Sequence, residues 1–421
     1  MTEPEGIEVS VEKLVPGGDG FLHLPDGRAA FVRGAAPGDK LRVRRLEKQR
    51  GAWVVVDFDL VAPSPERVAP ECPVAAVCGG CDMMQISRAG ELGQKERMLR
   101  EALERIGGVS TPPSALTTAG ESAGYRSRVR FHVGKGGKLG FFARGSHQLV
   151  EVPRCLVADE RINRALSAIR RLARRYPEAL GGFTDVELRA TEEGVIARFV
   201  PRDGIKPIAA EPLLRALGKD MQVVATAREA EQLHERRSVT AGTFIEIPAD
   251  AFSQINVAVN RELVAAIVSG ATSRGLTTFC DLFAGVGNFA LPLAHAGLSG
   301  MMVERTPSAV AAAQRVAAAQ GITQLKTRTA DAARALTDLI REGKRYELVV
   351  LDPPREGAPE VVAGLAGLTP RAVAYVGCDP VTLSRDLKPL LAAGMRISSV
   401  QGFDMFPRTH HFETLVWLEA G

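Results

Sequence analysis

Residues 277–296 read TTFCDLFAGVGNFALPLAHA: an apolar run, a glycine loop, then a helical stretch. TTFCDLF predicts a buried strand that stops where Gly285 and Gly287 allow a tight turn. The same unit returns in GMMVERTPSAVAAAQRVAAAQ (300–320), YELVVLDPP (346–354) and AVAYVGCDP (372–380). Strand, loop and helix alternating in this way predict an α/β fold, a parallel sheet with helices on both faces. Ligands of such sheets lie beyond the carboxyl ends of the strands, so the loops after these runs are where chemistry is expected.

Gly285-x-Gly287-x-x-Ala290 lets backbone approach a nucleotide ligand. Taken alone it also fits the dinucleotide fingerprint, so it indicates an adenosine-containing cofactor and leaves NAD open. Glu304, ending the next strand, is placed to bind ribose hydroxyls in either case. Asp352-Pro353-Pro354-Arg355 follows YELVVL directly, putting an acid at a strand's carboxyl end and two prolines to stiffen the loop beyond it. Cys378 also ends a strand, with Pro380 turning the chain away, and is a candidate nucleophile; Cys280, inside TTFCDLF, reads as an inert core thiol. FDMFPRTHHFETLVWL (403–418) precedes the final apolar strand, and Glu413 within it is a candidate base.

Upstream of residue 240 the character differs. Residues 7–62 carry period-2 strands with Gly, Asp and Pro turns, the pattern of a small β-barrel. Lys40, Arg42, Arg44, Arg45, Lys48 and Arg50 place six cations in eleven residues, which suits either a protected sheet edge or a nucleic-acid footprint. APSPERVAPECP (62–73) is a proline-rich hinge. Residues 91–106 predict an amphipathic helix and INRALSAIRRLARRY a basic one. Arg126, Arg128 and Arg130 are expected to alternate along one strand and share a face. Cys72, Cys78 and Cys81 surround a Gly-Gly turn, and Cys155 follows in VPRCLV with 73 residues between it and Cys81. Four sulfurs suit zinc or an iron–sulfur cluster, and a three-plus-one spacing fits a cubane better than a zinc ribbon.

Composition sets the frame. The chain has 421 residues, 45% hydrophobic and 24% charged, with net charge +4, and the length predicts several domains. No run approaches the ~20 apolar residues of a membrane span, and MTEPEGIEVS is not a secretory signal. Six cysteines make no disulfide framework; a cytoplasmic protein without a membrane partner is expected.

Jointly these motifs resemble the RNA uracil-5-methyltransferase family, which forms 5-methyluridine, across essentially the whole chain. The resemblance implies a Rossmann-like class I S-adenosylmethionine-dependent domain over 238–421. It also implies an N-terminal TRAM RNA-binding, OB-like barrel over 1–62 and a central α+β iron–sulfur domain over 63–237, with helix 91–106 packing on the catalytic domain. ECPVAAVCGGC with Cys155 matches the ligands of a [4Fe-4S] cluster in the ribosomal-RNA members. FSQIN, DLFAGVGNF, VERTP, TADAA and LDPPREG supply Gln254, Phe283, Asn288, Glu304, Asp331 and Asp352 as contacts for S-adenosylmethionine. YVGCDPVTLSRDL supplies the nucleophile Cys378, and FPRTHHFET the general base Glu413. The implied partner is RNA, 23S ribosomal RNA first and transfer RNA as the alternative, bound by a monomer. Gly377 stands where the family usually has Ser or Ala, and Arg408 where His, Gln or Tyr is commoner.

Overall fold

A computed structural model describes all residues except 1–5, 110–111, 177, 205–207, 227–228 and 230–232. The N-terminal MTEPE thus lies outside the described residues. No described helix is long and apolar enough to cross a membrane. The chain folds into two compact units made of discontinuous segments. One takes residues 1–101, 141–150 and 406–412, the other 102–140, 151–405 and 413–421.

The first unit holds a six-stranded sheet: β1 (Ile7–Ser10), β2 (Lys13–Leu14), β3 (Gly20–His23), β4 (Ala29–Val32), β5 (Lys40–Gln49) and β6 (Ala52–Ala62), in the order β1-β5-β6-β4-β3-β2. β5 shows why it forms. Leu41, Val43 and Leu46 point into a core with Val9, Leu22, Val32 and Val55, while Lys40, Arg42 and Arg44 point out. A register shift between Val43 and Arg45 breaks the strict alternation, so Arg44 and Arg45 both face solvent. Arg50 and Gly51, both at positive φ, turn the chain into β6. Helix α1 (Arg88–Ala102) follows, and a π-helical turn over Leu103–Gly107 ends at Gly108 in the left-handed region.

The second unit contains β7 (Arg128–Val133), the first two residues of β8 (Leu139–Phe142), the last residue of β9 (Leu149–Glu151), α2 (Glu160–Arg175), β10 (Phe183–Thr191), β11 (Gly194–Pro201), α3 (Glu211–Leu217) and β12 (Gln222–Val224). β12, β11, β10, β7 and the start of β8 lie side by side, and a hairpin of β13 (His234–Thr240) and β14 (Thr243–Pro248) follows. Asp159 caps α2 by accepting from the Arg161 amide.

The rest alternates as expected: α4 (Val257–Ser273), β15 (Thr278–Leu282), α5 (Ala290–His295), β16 (Ser299–Glu304), α6 (Pro307–Ala319), β17 (Leu325–Thr329), α7 (Ala332–Arg341), β18 (Leu348–Leu351), α8 (Pro359–Gly364), β19 (Ala372–Gly377), α9 (Pro380–Ala392), β20 (Met395–Phe403) and β21 (Glu413–Ala420). Seven strands form one sheet in the order β17-β16-β15-β18-β19-β21-β20. Pairing is parallel from β17 to β19, while β21 runs antiparallel to both β19 and β20. All four residues of β18 and all six of β19 are buried, as a sheet covered on both faces requires. The chain starts at the sheet's middle, runs outward to β17 and returns to β18. The crevice at that reversal lies between the ends of β15 and β18.

Candidate active site

Sheet register brings the carboxyl ends together. Leu282 pairs with Val303 on one side and Leu351 on the other, so Phe283, Glu304 and Asp352 are the next residues on three adjacent strands. Phe283 is half-buried at φ +68°, a left-handed conformation costing of order 1–3 kcal/mol for a residue with a side chain. The chain then turns through Gly285, whose amide donates to Glu304 Oε2 at 3.0 Å; Glu304 Oε1 accepts from the Thr306 amide at 2.8 Å. A Cβ on Gly285 would meet nothing within 4 Å, so the loop faces open space. Asn288 and Asn260 exchange two amide hydrogen bonds, 2.9 and 3.0 Å, tying this loop to α4. Asp331 is exposed at the N-terminus of α7 and accepts from the amides of Ala333 and Arg334.

Between β19 and β21 the last antiparallel pair is Gly377 with Thr414. One step further along the same register, Cys378 stands opposite Glu413. The 34 residues between them in sequence collapse to a single cross-strand position. Glu413 is 3% exposed and its Oε2 has no hydrogen-bond partner. Burial and the nearby Asp352 raise its carboxyl well above the ordinary range, against the pull of Arg355. Burial likewise pushes the Cys378 thiol up to about 12, helped by Glu413, Asp352 and Asp379 and opposed by Arg355. Asp352 is half-exposed and pushed up to about 7 by desolvation, partly offset by a hydrogen bond from Gln254. Gln254 is itself buried, and its carbonyl accepts from Arg237 Nη1 at 2.8 Å. At Gly377, an added Cβ would meet Leu383 no closer than 3.4 Å, so glycine there is not sterically required.

Asp281 is a site residue that pattern reading passes over, because it sits inside the strand. It is fully buried, and neither carboxylate oxygen finds a hydrogen-bond partner of good geometry. Desolvation raises it, Asp352 and Glu304 raise it further, and the amide of Ala290 eases it. Asp281, Glu304, Asp352 and Glu413 thus crowd four carboxyl groups around one crevice, Asp352 and Glu304 disfavouring ionisation of Asp281, and Asp352 that of Glu413. Such a cluster is under-compensated by itself and suits a cationic ligand. A sulfonium with an adjacent amino group, held against the glycine loop, meets that requirement, and the donor set fits S-adenosylmethionine.

The other expected residues are distributed as follows. Cys72, Cys78 and Cys81 are half-buried in the first unit, and Cys155 is buried in the second. The backbone of Cys155 is clamped by Asn163, whose amide accepts from its N–H and donates to its carbonyl. Among the described residues, no group of three or more His, Cys, Asp or Glu is close enough to hold a metal ion. Arg126 does not share the strand with Arg128 and Arg130: β7 begins at Arg128. The Arg126 amide instead donates to Val157, and its carbonyl accepts from Asp159. Arg130 pairs with Asp185 at 2.8 Å, and Arg128 donates to the Ala251 carbonyl while lying over Phe252. On β5, Arg42 pairs with Glu8, Arg44 with Asp59 and Arg45 with Glu47, so much of that basic run is neutralised locally.

Comparison with known proteins identifies the chemistry. Residues 89–421 match the tRNA (Uracil-5-)-methyltransferase family. An RNA methyltransferase of Gloeobacter violaceus, described as uncharacterized, is 32% identical over 100% of this chain and 97% of its own length. A 23S rRNA (uracil(1939)-C(5))-methyltransferase of Aeromonas hydrophila is 31% identical over 99% and 97%. The crystal structure of Pyrococcus abyssi tRNA (uracil-54, C5)-methyltransferase in complex with S-adenosyl-L-homocysteine superposes with TM-score 0.73. It has 23% identity and covers 98% of this chain and all of that one, which shows a common fold. This chain belongs to the RNA (uracil-5-)-methyltransferase family, enzymes that depend on S-adenosylmethionine.

Proposed function

We propose that this chain methylates C5 of a uridine in 23S ribosomal RNA, acting as a cytoplasmic monomer through a covalent adduct on Cys378. The observation that carries the mechanism is the register that sets Cys378 opposite Glu413 beside Asp352. Uracil C5 is a poor nucleophile until a thiolate adds to C6, which leaves C5 electron-rich. Cys378 forms that S–C6 bond, splitting one difficult step into easier ones. S-adenosylmethionine supplies the methyl cation equivalent. Glu413 then takes the C5 proton, and the electron pair of that C–H bond expels the Cys378 thiolate. Burial raises its affinity for protons, and it acts as the base in its ionised form. The target base must leave its stack to reach the crevice, which favours a loop or bulge of the RNA.

The ribosomal target rests on the full-length similarity to enzymes of that name. Incubating the protein and S-adenosylmethionine with [5-³H]uridine-labelled 23S and transfer RNA transcripts tests both parts. Tritium release from the 23S transcript is expected. Release from transfer RNA alone overturns the substrate, and no release from either overturns the reaction. We read residues 1–62 as the TRAM module, 63–237 as the iron–sulfur region and 238–421 as the catalytic domain. From the three-plus-one spacing we also infer that Cys72, Cys78, Cys81 and Cys155 take a [4Fe-4S] cluster outside the methyl-transfer steps. Anaerobic preparations should then carry about four irons per chain; stoichiometric zinc without iron refutes it.

Two predictions concern the cofactor. Glu304→Ala should weaken S-adenosylmethionine binding by one or two charge-assisted hydrogen bonds, about 1.5–3 kcal/mol each, read by calorimetry. Unchanged affinity contradicts the ribose assignment. Affinity should also tighten as pH rises from 6 to 8. Desolvation pushes Asp352 up to about 7, and its carboxylate, once formed, attracts the sulfonium. S-adenosylhomocysteine, neutral at sulfur, should show a shallower dependence. Parallel profiles for the two ligands rule out this electrostatic account.

A further inference from the structure

Asp386 lies in α9, eight residues past Cys378, and is 2% exposed. Its carboxylate is bonded from three directions. Oδ2 accepts from the Tyr375 hydroxyl and from the Ala358 amide, each at 2.8 Å. Oδ1 accepts from Arg385 Nε at 2.9 Å and Nη2 at 2.7 Å. Arg385 Nη2 reaches on to the Glu356 carbonyl at 2.8 Å. These contacts draw the loop 352–358 tightly onto α9. At Gly357, φ is +81°, and a Cβ would stand 2.3 Å from Asp386 Oδ2 and 2.6 Å from Arg385 Nη2, so only glycine fits. Tyr375 precedes Cys378 by three residues on β19, and α9 starts two residues after it. The nucleophile is therefore bracketed by the two elements that Asp386 joins to the loop carrying Arg355.

That loop matters because of what faces Cys378. Glu413 from β21, Asp352 from the end of β18 and Asp379 from its own turn all disfavour the thiolate, and Arg355 is the cation opposing them. Arg355 is exposed and sits on a turn held by Asp386 and Arg385. We infer that Asp386 is a positioning residue for methyl transfer: with Tyr375 and Arg385 it anchors the 352–358 loop, which carries Asp352 and Arg355, against the strand and helix that bracket Cys378. This rests on the reading of Cys378 as nucleophile. A buried carboxylate with so many partners also stabilises the fold, so the test must separate the two roles.

Iodoacetamide labelling of the full-length protein at pH 9, followed peptide by peptide, does so. Cys280, fully buried in β15, reports loosening of the fold. In Asp386→Asn, labelling of Cys378 is expected to fall about tenfold, the effect of one unit of thiol pKa, with Cys280 still protected. Tyr375→Phe, which removes one bond and adds no bulk, should give a smaller fall in the same direction and lower kcat at unchanged RNA KM. Should Asp386→Asn not fold, Tyr375→Phe alone decides. Faster labelling of both cysteines, or a Cys378 rate equal to wild type in the folded variant, overturns the proposal. Methylation surviving in Cys378→Ala removes the nucleophile assignment instead, and leaves the labelling result standing as a separate fact about Arg355 and the thiol.

Discussion

Glu413→Gln protein mixed with RNA and S-adenosylmethionine should run on a denaturing gel as a shifted band, with methylated RNA still bonded to Cys378. Glutamine keeps the shape of a side chain that is 3% exposed and flanked by Phe403 on β20, so the fold and the cofactor crevice survive. What disappears is the acceptor for the C5 proton. Adduct formation and methyl transfer need only Cys378 and the cofactor, so the reaction stalls one step before release. Loss of a general base slows such a step by roughly 10²–10⁴-fold, enough for the adduct to accumulate. The same substitution removes a carboxyl whose ionised form disfavours the thiolate, so the first step is not impaired. Cys378→Ala should bind RNA yet give neither adduct nor methylation, and the double variant should resemble it because the bond requires sulfur. Wild-type turnover by Glu413→Gln, or crosslinking by Cys378→Ala, refutes the assignment.

The pairing of these two groups shows how far the sequence could be read. Strands β15, β16, β18 and β19 were legible because each is a short apolar run ended by Gly, Pro or an acid. Residues at their carboxyl ends could therefore be nominated one by one. Insertion of β21 between β19 and β20 was not legible. It depends on cross-strand packing over long separations, and it is what sets Glu413 opposite Cys378. Helix 91–106 appears as Arg88–Ala102 plus a π-helical turn, because apolar periodicity does not register the change of helix type. Arg126 left its expected strand because its backbone bonds segments around residues 157 and 159 instead. The basic strand looked more charged than it is because its counterions, Glu8 and Asp59, arrive from neighbouring strands. Asp281 and Asp386 escaped for a common reason. A buried carboxylate is defined by what surrounds it, and neither spacing nor composition carries that.

In the first unit, Glu91→Gln should destabilise by about 3–5 kcal/mol, the cost of leaving a buried charge without its counter-charge. Glu91 and Lys95 are both fully buried on α1, and the ammonium donates to Glu91 Oε1 at 2.7 Å. The same oxygen accepts from the Arg408 amide at 2.8 Å and faces Arg88 at 2.7 Å, while Lys95 also donates to the Phe406 carbonyl. Arg408 is held at φ +70°, and its carbonyl accepts from the amides of Asp82 and Met83 at 3.2 Å each. This strained residue persists because its amide and carbonyl are both fixed from outside the loop. Replacing the carboxylate with an amide takes the negative charge from beside the buried Lys95 ammonium and loosens the hold on Arg408. At about 4 °C per kcal/mol, between the values for domains of 100 and of 150 residues, the thermal midpoint should fall by roughly 10–20 °C. Glu91→Leu combined with Lys95→Met removes both charges and should recover much of that loss, because the desolvation cost goes with the attraction. A single variant within 2 °C of wild type, or a double variant worse than the single, shows that the pair does not hold this loop.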